Sequence, residues 1–117
     1  MTRSAPPVLH DCYDLALALY RLAPTFPKAQ RFVLGQRIEQ AALDLLFRVD
    51  EAREPDVRVA SLSAASRALD QVRLLVRLAT DLGFVPVTTH EALVTRFEAI
   101  GRQVGGWLRW RPDAPTP

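Results

Sequence analysis

Arg31-Phe32-Val33-Leu34-Gly35-Gln36-Arg37-Ile38-Glu39-Gln40-Ala41-Ala42-Leu43-Asp44-Leu45-Leu46 is the stretch whose periodicity decides the fold. At about 100° of rotation per residue, Leu34, Ile38, Ala41, Ala42 and Leu45, continued by Val49 and Ala52, form one stripe of the kind a helix turns toward a core. Phe32, Val33, Leu43 and Phe47 fall on roughly the opposite side, among Gln36 and Gln40. A helix apolar on two faces has one face more than a small bundle covers. Either it sits deep inside the fold or its second face meets another protomer. The second is expected here, with Phe32, Val33, Leu43 and Phe47 as the oligomer interface.

Working outward, the remaining periodic segments predict three more helices. The first is expected over about 11–23, with Asp11 as N-cap and Asp14 in the first turn, where negative charge suits the helix dipole. Leu9, Cys12, Tyr13, Ala16, Leu19, Tyr20 and Ala23 share its inner face. Ala23-Pro24-Thr25-Phe26-Pro27 breaks it, and Pro27 suits the first turn of a second helix over about 28–53. A third follows over about 57–82 with Asp56 as cap, Leu62, Ala65, Leu69, Val72, Val76 and Ala79 inward, and Gly83 as the glycine after its end. Thr88 and Glu91 have the spacing of a capping box, which starts a fourth helix over about 89–111 with Leu93, Phe97, Ile100, Val104, Trp107 and Leu108 on one stripe. Short connectors between four helices predict an all-α, antiparallel up-down-up-down four-helix bundle in a single domain, 1–117, with flexible tails at 1–8 and 112–117.

At 117 residues the chain can bury one core, and 49% hydrophobic with 24% charged residues is the composition of an ordered globular protein. It contains no apolar run of the roughly 20 residues that span a bilayer, and Met1 to Pro7 lacks the order of a signal peptide. A cytoplasmic protein that does not engage membranes is expected. Cys12 is the only cysteine, so an internal disulfide is impossible; on the inner face it reads as an inert core residue.

Searches for catalytic chemistry fail one by one. The chain has no His-Glu-x-x-His, no Cys-x-x-Cys and no Glu-x-x-His pair, so neither a metal nor any other cofactor is expected. His10 and His90 stand near helix starts as solvated or capping groups. Gly101 and Gly106 match the opening of a phosphate loop, but Trp107-Leu108 replaces the Lys-Ser/Thr that such a loop requires. Asp44, Asp50, Glu51 and Glu54, mixed with Arg48 and Arg53, read as a solvated ion ladder rather than an acid-base pair. Neither an enzyme nor a small-molecule substrate is indicated.

What remains is arginine. Net charge is only +2, yet Lys28 is the sole lysine among 15 basic residues, which leaves 14 arginines. Guanidinium forks suit phosphate and carboxylate; a GC-rich coding sequence produces the same bias. The surplus lies in the C-terminal half, where Arg67, Arg73, Arg77, Arg102, Arg109 and Arg111 are candidate nucleic-acid or polymerase contacts and Trp110 interleaves an aromatic between cations. Pairing with Asp70, Asp81 and Glu98 at helical spacing accounts for some of these arginines and not for all. Gly101, Gly105 and Gly106 in mid-helix each cost about 1 kcal/mol relative to alanine, and close helix packing is the expected reason.

Tyr13-Asp14-Leu15, Phe26-Pro27-Lys28, Arg31-Phe32-Val33-Leu34-Gly35, Arg37-Ile38-Glu39, Arg73-Leu74-Leu75-Val76-Arg77, Ile100-Gly101-Arg102 and Gly105-Gly106-Trp107-Leu108 together resemble the accessory variability determinant (Avd) family. Proteins of this family accompany the reverse transcriptases of diversity-generating retroelements. Some of these elements are shared with bundle proteins encoded by intervening sequences in ribosomal RNA genes; the last two runs favour Avd. The resemblance implies a non-catalytic homopentamer of four-helix bundles that binds the reverse transcriptase, template-repeat RNA and cDNA in mutagenic cDNA synthesis. It also places Arg31, Arg37, Arg73, Arg77 and Arg102 on basic positions of the family pattern. Gln103 stands where the family commonly has methionine, and His90 where it has tyrosine. A structural bundle with another protein partner and no nucleic-acid role is the alternative, and a neighbouring reverse transcriptase gene with a variable/template repeat pair discriminates between the two.

Overall fold

The computed structural model describes residues 5–110. Helix α1 spans Pro7–Leu22, followed by a 3-10 turn at Ala23–Thr25. The second rod is composite: α2 at Lys28–Gln30, a π-helical turn at Arg31–Gly35, and α3 at Gln36–Glu51. A 3-10 turn at Pro55–Val57 leads into α4 at Arg58–Asp81, and α5 spans Val87–Arg109. Among the described residues there is no strand, and no helix is long and apolar enough to cross a membrane. Helix α1 packs on α3, α3 on α4, α4 on α5 and α5 back on α1, so the rods form a closed ring around one core.

The stripe that opened the sequence reading is the core stripe. Leu34, Ile38, Ala41, Ala42, Leu45, Val49 and Ala52 are all buried, as are the inward positions expected on α4 and Leu93, Phe97, Ile100 and Val104 on α5. Burying each such aliphatic or aromatic side chain contributes about 1.5–3 kcal/mol, which is what holds the rods in register. Cys12 is buried too, and burial, then the neighbouring Asp11 carboxylate, push its thiol up to about 12. Such a thiol stays protonated and unreactive at neutral pH.

Where the structure departs from the sequence expectation, it does so at helix ends. Helix α1 begins at Pro7 rather than Asp11, with Pro6 as its N-cap; Val8, assigned to a flexible tail, is helical and buried. Proline's fixed φ is pre-organised for a helix start and its missing N–H loses nothing there. Asp11, one turn inside, instead accepts a 2.7 Å hydrogen bond from Gln103 Nε2 of α5. Asp56 caps nothing, because α4 starts from Val57 without a side-chain cap. Thr88 and Glu91 form no capping box either: α5 starts at Val87 with Pro86 as N-cap. Tyr13 and Tyr20, placed on the inner face of α1, are exposed. Residues 1–4 of the tail expected at 1–8, and the whole tail expected at 112–117, lie outside the described residues.

Two features of the backbone tie the rods together. The π turn interrupts what periodicity reads as one unbroken α-helix, and Gln36 N–H reaches back to Arg31 O across it. It sits where Gly35 approaches the preceding turn so closely that a Cβ there would come within 3.4 Å of the Ala23 Cβ. Gly83 has φ +84°, and the bonds Gly83 N to Thr80 O and Phe84 N to Ala79 O close α4 with the paired pattern of a glycine C-terminus. That closure turns Phe84 back against Phe26, with ring centroids 5.8 Å apart.

Candidate nucleic-acid interface

On the α4/α5 seam, Arg73, Glu98, Gly101, Arg102, Gly105 and Arg109 line an open groove of about 390 Å³. Its floor is formed by two glycines. A Cβ on Gly101 would stand 3.4 Å from a terminal nitrogen of Arg73, and one on Gly105 would stand 3.2 Å from a terminal nitrogen of Arg109. Close helix packing was expected at these glycines; Gly101 faces Arg73 and Leu69 of α4, Gly105 faces Arg109 of its own helix, and no second backbone comes within 4 Å of either Cβ position. Arg73 reaches across from α4, half-buried, with its guanidinium carbon 5.9 Å from the centre of the Phe97 ring. Among the described residues Arg73, Arg102 and Arg109 form no ion pair, so three cations face one carboxylate, Glu98.

The other candidate arginines are scattered. Arg77, expected to act with Arg73, is exposed and lies 4.0 Å from Asp81, the pairing that competes with a binding role. Arg67 is exposed on α4, outside the groove. Arg31 donates from Nε to Phe26 O at 3.0 Å and so braces the turn before the π segment. Arg37 lines a separate surface groove with Tyr20, Phe32 and Val33. Arg111 lies outside the described residues. Of the ladder expected at the end of the second rod, two rungs form, Arg48 with Glu51 at 3.1 Å and Arg53 with Asp50 at 3.4 Å, while Asp44 accepts from Gln40 Nε2 and neither Asp44 nor Glu54 is in an ion pair among the described residues. Among the described residues no three His, Cys, Asp or Glu side chains come together as metal ligands.

Across the ring from this groove, the α1/α3 seam carries the second apolar face. Phe32 (68%), Val33 and Phe47 (59%) are exposed and Leu43 is half-buried. Residues that the sequence reading did not assign to this face join them: Tyr13, Ala16, Leu17, Tyr20 and Leu46 line a groove with Leu43 in which no side chain is charged. Tyr13 and Tyr20 were hidden from the reading because they sit at the edge of the α1 stripe, where rotation angle alone does not separate inside from outside.

A family model described as bAvd-like matches residues 8–110. The chain belongs to the bAvd-like family. The match covers nearly everything described here, from the first buried residue of α1 to Trp110, so the family pattern includes both seams. No curated protein matches the chain.

Arg58 is the residue that sequence reasoning counted but did not place in this bAvd-like bundle. It donates to Ala52 O at 2.7 Å and Arg53 O at 3.1 Å, and its guanidinium carbon lies 5.2 Å from the Trp107 ring centre and 5.4 Å from that of Trp110. Its contacts lie five, six, 49 and 52 residues away along the chain, so no local spacing announces them.

Proposed function

We propose that this protein is a non-catalytic accessory subunit of a diversity-generating retroelement, working as a homopentamer that binds the retroelement reverse transcriptase, template RNA and cDNA. Membership of the bAvd-like family carries the retroelement role. The observation that carries nucleic-acid binding is the α4/α5 groove, where Arg73, Arg102 and Arg109 converge against one carboxylate over a glycine floor. Guanidinium groups held without a carboxylate partner are suited to phosphate oxygens. At +2 per chain one copy has little long-range attraction for a polyanion, but five copies carry +10 and a ring focuses that charge.

The exposed Phe32, Val33 and Phe47, with the uncharged groove of Tyr13, Leu17, Tyr20, Leu43 and Leu46, support self-association, because large apolar side chains grouped at a surface favour a partner that covers them. An antiparallel, up-down-up-down order of the rods is part of the same reading. The start of α1 and the end of α5 meet, since Pro7 and Trp110 line one cavity.

Filter binding of structured RNA and of an RNA–DNA hybrid at two salt concentrations tests the proposal, with light scattering on the same samples. Sequence-tolerant binding that needs the oligomer and weakens steeply with salt is expected. A monomer at micromolar concentration, or an assembly that retains neither nucleic acid nor polymerase, favours a bundle with another protein partner.

A further inference from the structure

At the end of the bundle, Pro7, Arg53, Arg58, Gly106, Trp107 and Trp110 are among the residues that line an open cavity of about 620 Å³. It lies at a different place from the arginine groove and shares none of its lining residues. Its size is within the range of roughly 300–1,000 Å³ that ligand pockets have. Both tryptophans of the chain are here, and Trp110 is 52% exposed. Two of the lining residues are arginines and none is a carboxylate. Arg58 is held by two backbone carbonyls and stacked near both indoles, so cation and rings form one fixed unit. Gly106 keeps the α5 wall open, with nothing within 4 Å of where its Cβ would stand.

We propose that this cavity is a stacking site for an unpaired nucleobase of single-stranded RNA or DNA. The proposal deepens the nucleic-acid reading and rests on it. A nucleotide joins a flat π-system to an anion, and the cavity offers the complement, indole surface beside Arg58, with Arg53, 3.4 Å from Asp50, also in the lining. Stacking on aromatic side chains is tolerant of sequence because every base has a π-face. A duplex keeps its bases stacked on one another and has only its ends to offer, so this site separates single strand from duplex where the arginine groove does not. The bundle then holds two kinds of contact, phosphate at the α4/α5 seam and base at the bundle end, suited to a template with both paired and unpaired segments.

Because Trp107 and Trp110 are the only tryptophans, emission excited at the red edge, where Tyr13 and Tyr20 do not absorb, comes from this end of the bundle. The test titrates the full chain with an oligouridine of about twelve nucleotides, within the span of known single-strand sites, and separately with a blunt RNA duplex. Tryptophan emission is followed together with the anisotropy of an end label on each ligand. Oligouridine is expected to bind and quench, and the duplex to bind with little quenching. Trp110→Ala is expected to weaken oligouridine binding about thirtyfold, the middle of the range for removing one stacking ring, with duplex binding and helicity unchanged; Trp110→Phe restores most of the loss. Oligouridine that binds without quenching, and equally well to Trp110→Ala, overturns the stacking site and leaves the arginine groove standing. Absence of binding by either ligand removes both. An acidic peptide that quenches as strongly as oligouridine overturns the proposal in favour of a protein partner at this end.

Discussion

The α1/α3 and α4/α5 seams lie across the ring from each other and are chemical opposites. Leu43 and Leu46 line a groove with Tyr13, Leu17 and Tyr20 on the first that contains no charged side chain, whereas the second gathers three arginines and one glutamate over two glycines. Both leave the isolated chain with an unmet demand. On the apolar seam it is area in contact with water, at about 25 cal/mol per Å², which any apolar cover relieves and salt does not weaken. On the arginine seam it is charge, which only an anion relieves and which salt screens over about 8–10 Å. Self-association through the apolar seam is expected to persist as salt rises, and anion binding at the arginine seam is expected to weaken, so salt tells the two apart.

The largest expected effect tests whether the two faces of α3 are correctly told apart. Ile38 is 1% exposed and Phe47 59%. Ile38→Glu places a carboxylate in the core and is expected to unfold the chain, a loss of several kcal/mol. Phe47→Glu is expected to leave circular dichroism intact while light scattering shows the assembly falling apart. Equal loss of helicity in the two variants breaks the distinction between the faces.

Next in size is the pH dependence contributed by Cys12, which reports on α1 beneath the apolar seam. Its thiol pKa is raised from 9.0 to about 12 in the folded chain, so the folded state keeps a proton that the unfolded state gives up. Stability from this source is flat below pH 9 and falls between 9 and 12 by at most about 1.4 kcal/mol per pH unit. Urea melts at pH 8 and pH 10.5, compared with Cys12→Ala, isolate this contribution. Thiol labelling at pH 8 should be equally slow in wild type and Phe47→Glu, because dissociation uncovers the seam without opening the core.

A smaller effect sharpens the arginine seam. Arg102→Ala is expected to lower the log–log salt slope of duplex binding by about 0.9, the value for one lost phosphate contact. Arg77→Ala should leave the slope nearly unchanged, since Arg77 stands outside the groove, 4.0 Å from Asp81. Equal slopes for the two variants remove the groove from the binding surface. The smallest concerns the glycines. Gly106→Ala meets nothing within 4 Å and should raise the melting temperature by the equivalent of roughly 0.5–1 kcal/mol. Gly101→Ala should gain less, because its new Cβ meets the guanidinium of Arg73 at 3.4 Å.

Much of this was legible in the chain because helical periodicity is a local property. Leu34, Ile38, Ala41, Ala42, Leu45, Val49 and Ala52 recur at the spacing that buries them, and Gly83 ends α4 through its own φ. Phe32, Val33 and Phe47 were legible as a second face by the same rule. Helix starts were not, because three acceptable caps at Asp11, Asp56 and Thr88 competed with neighbouring Pro6, Val57 and Pro86, and small local differences decided between them. The basic residues were visible as composition, but composition does not say which of them converge.

By itself, then, the sequence determined four helical rods, their buried stripes, a surplus of arginine and a family resemblance. Only the tertiary structure decided that Arg73 of α4 crosses Gly101 of α5 and that Arg58 stacks near Trp107 and Trp110, whereas Arg77 beside Asp81 is a pairing that helical spacing already offered. A stripe repeats along one helix and is set by a 3.6-residue turn. A groove belongs to two helices at once and is set by how far one slides and rotates against the other, which core packing fixes and no spacing within either helix contains.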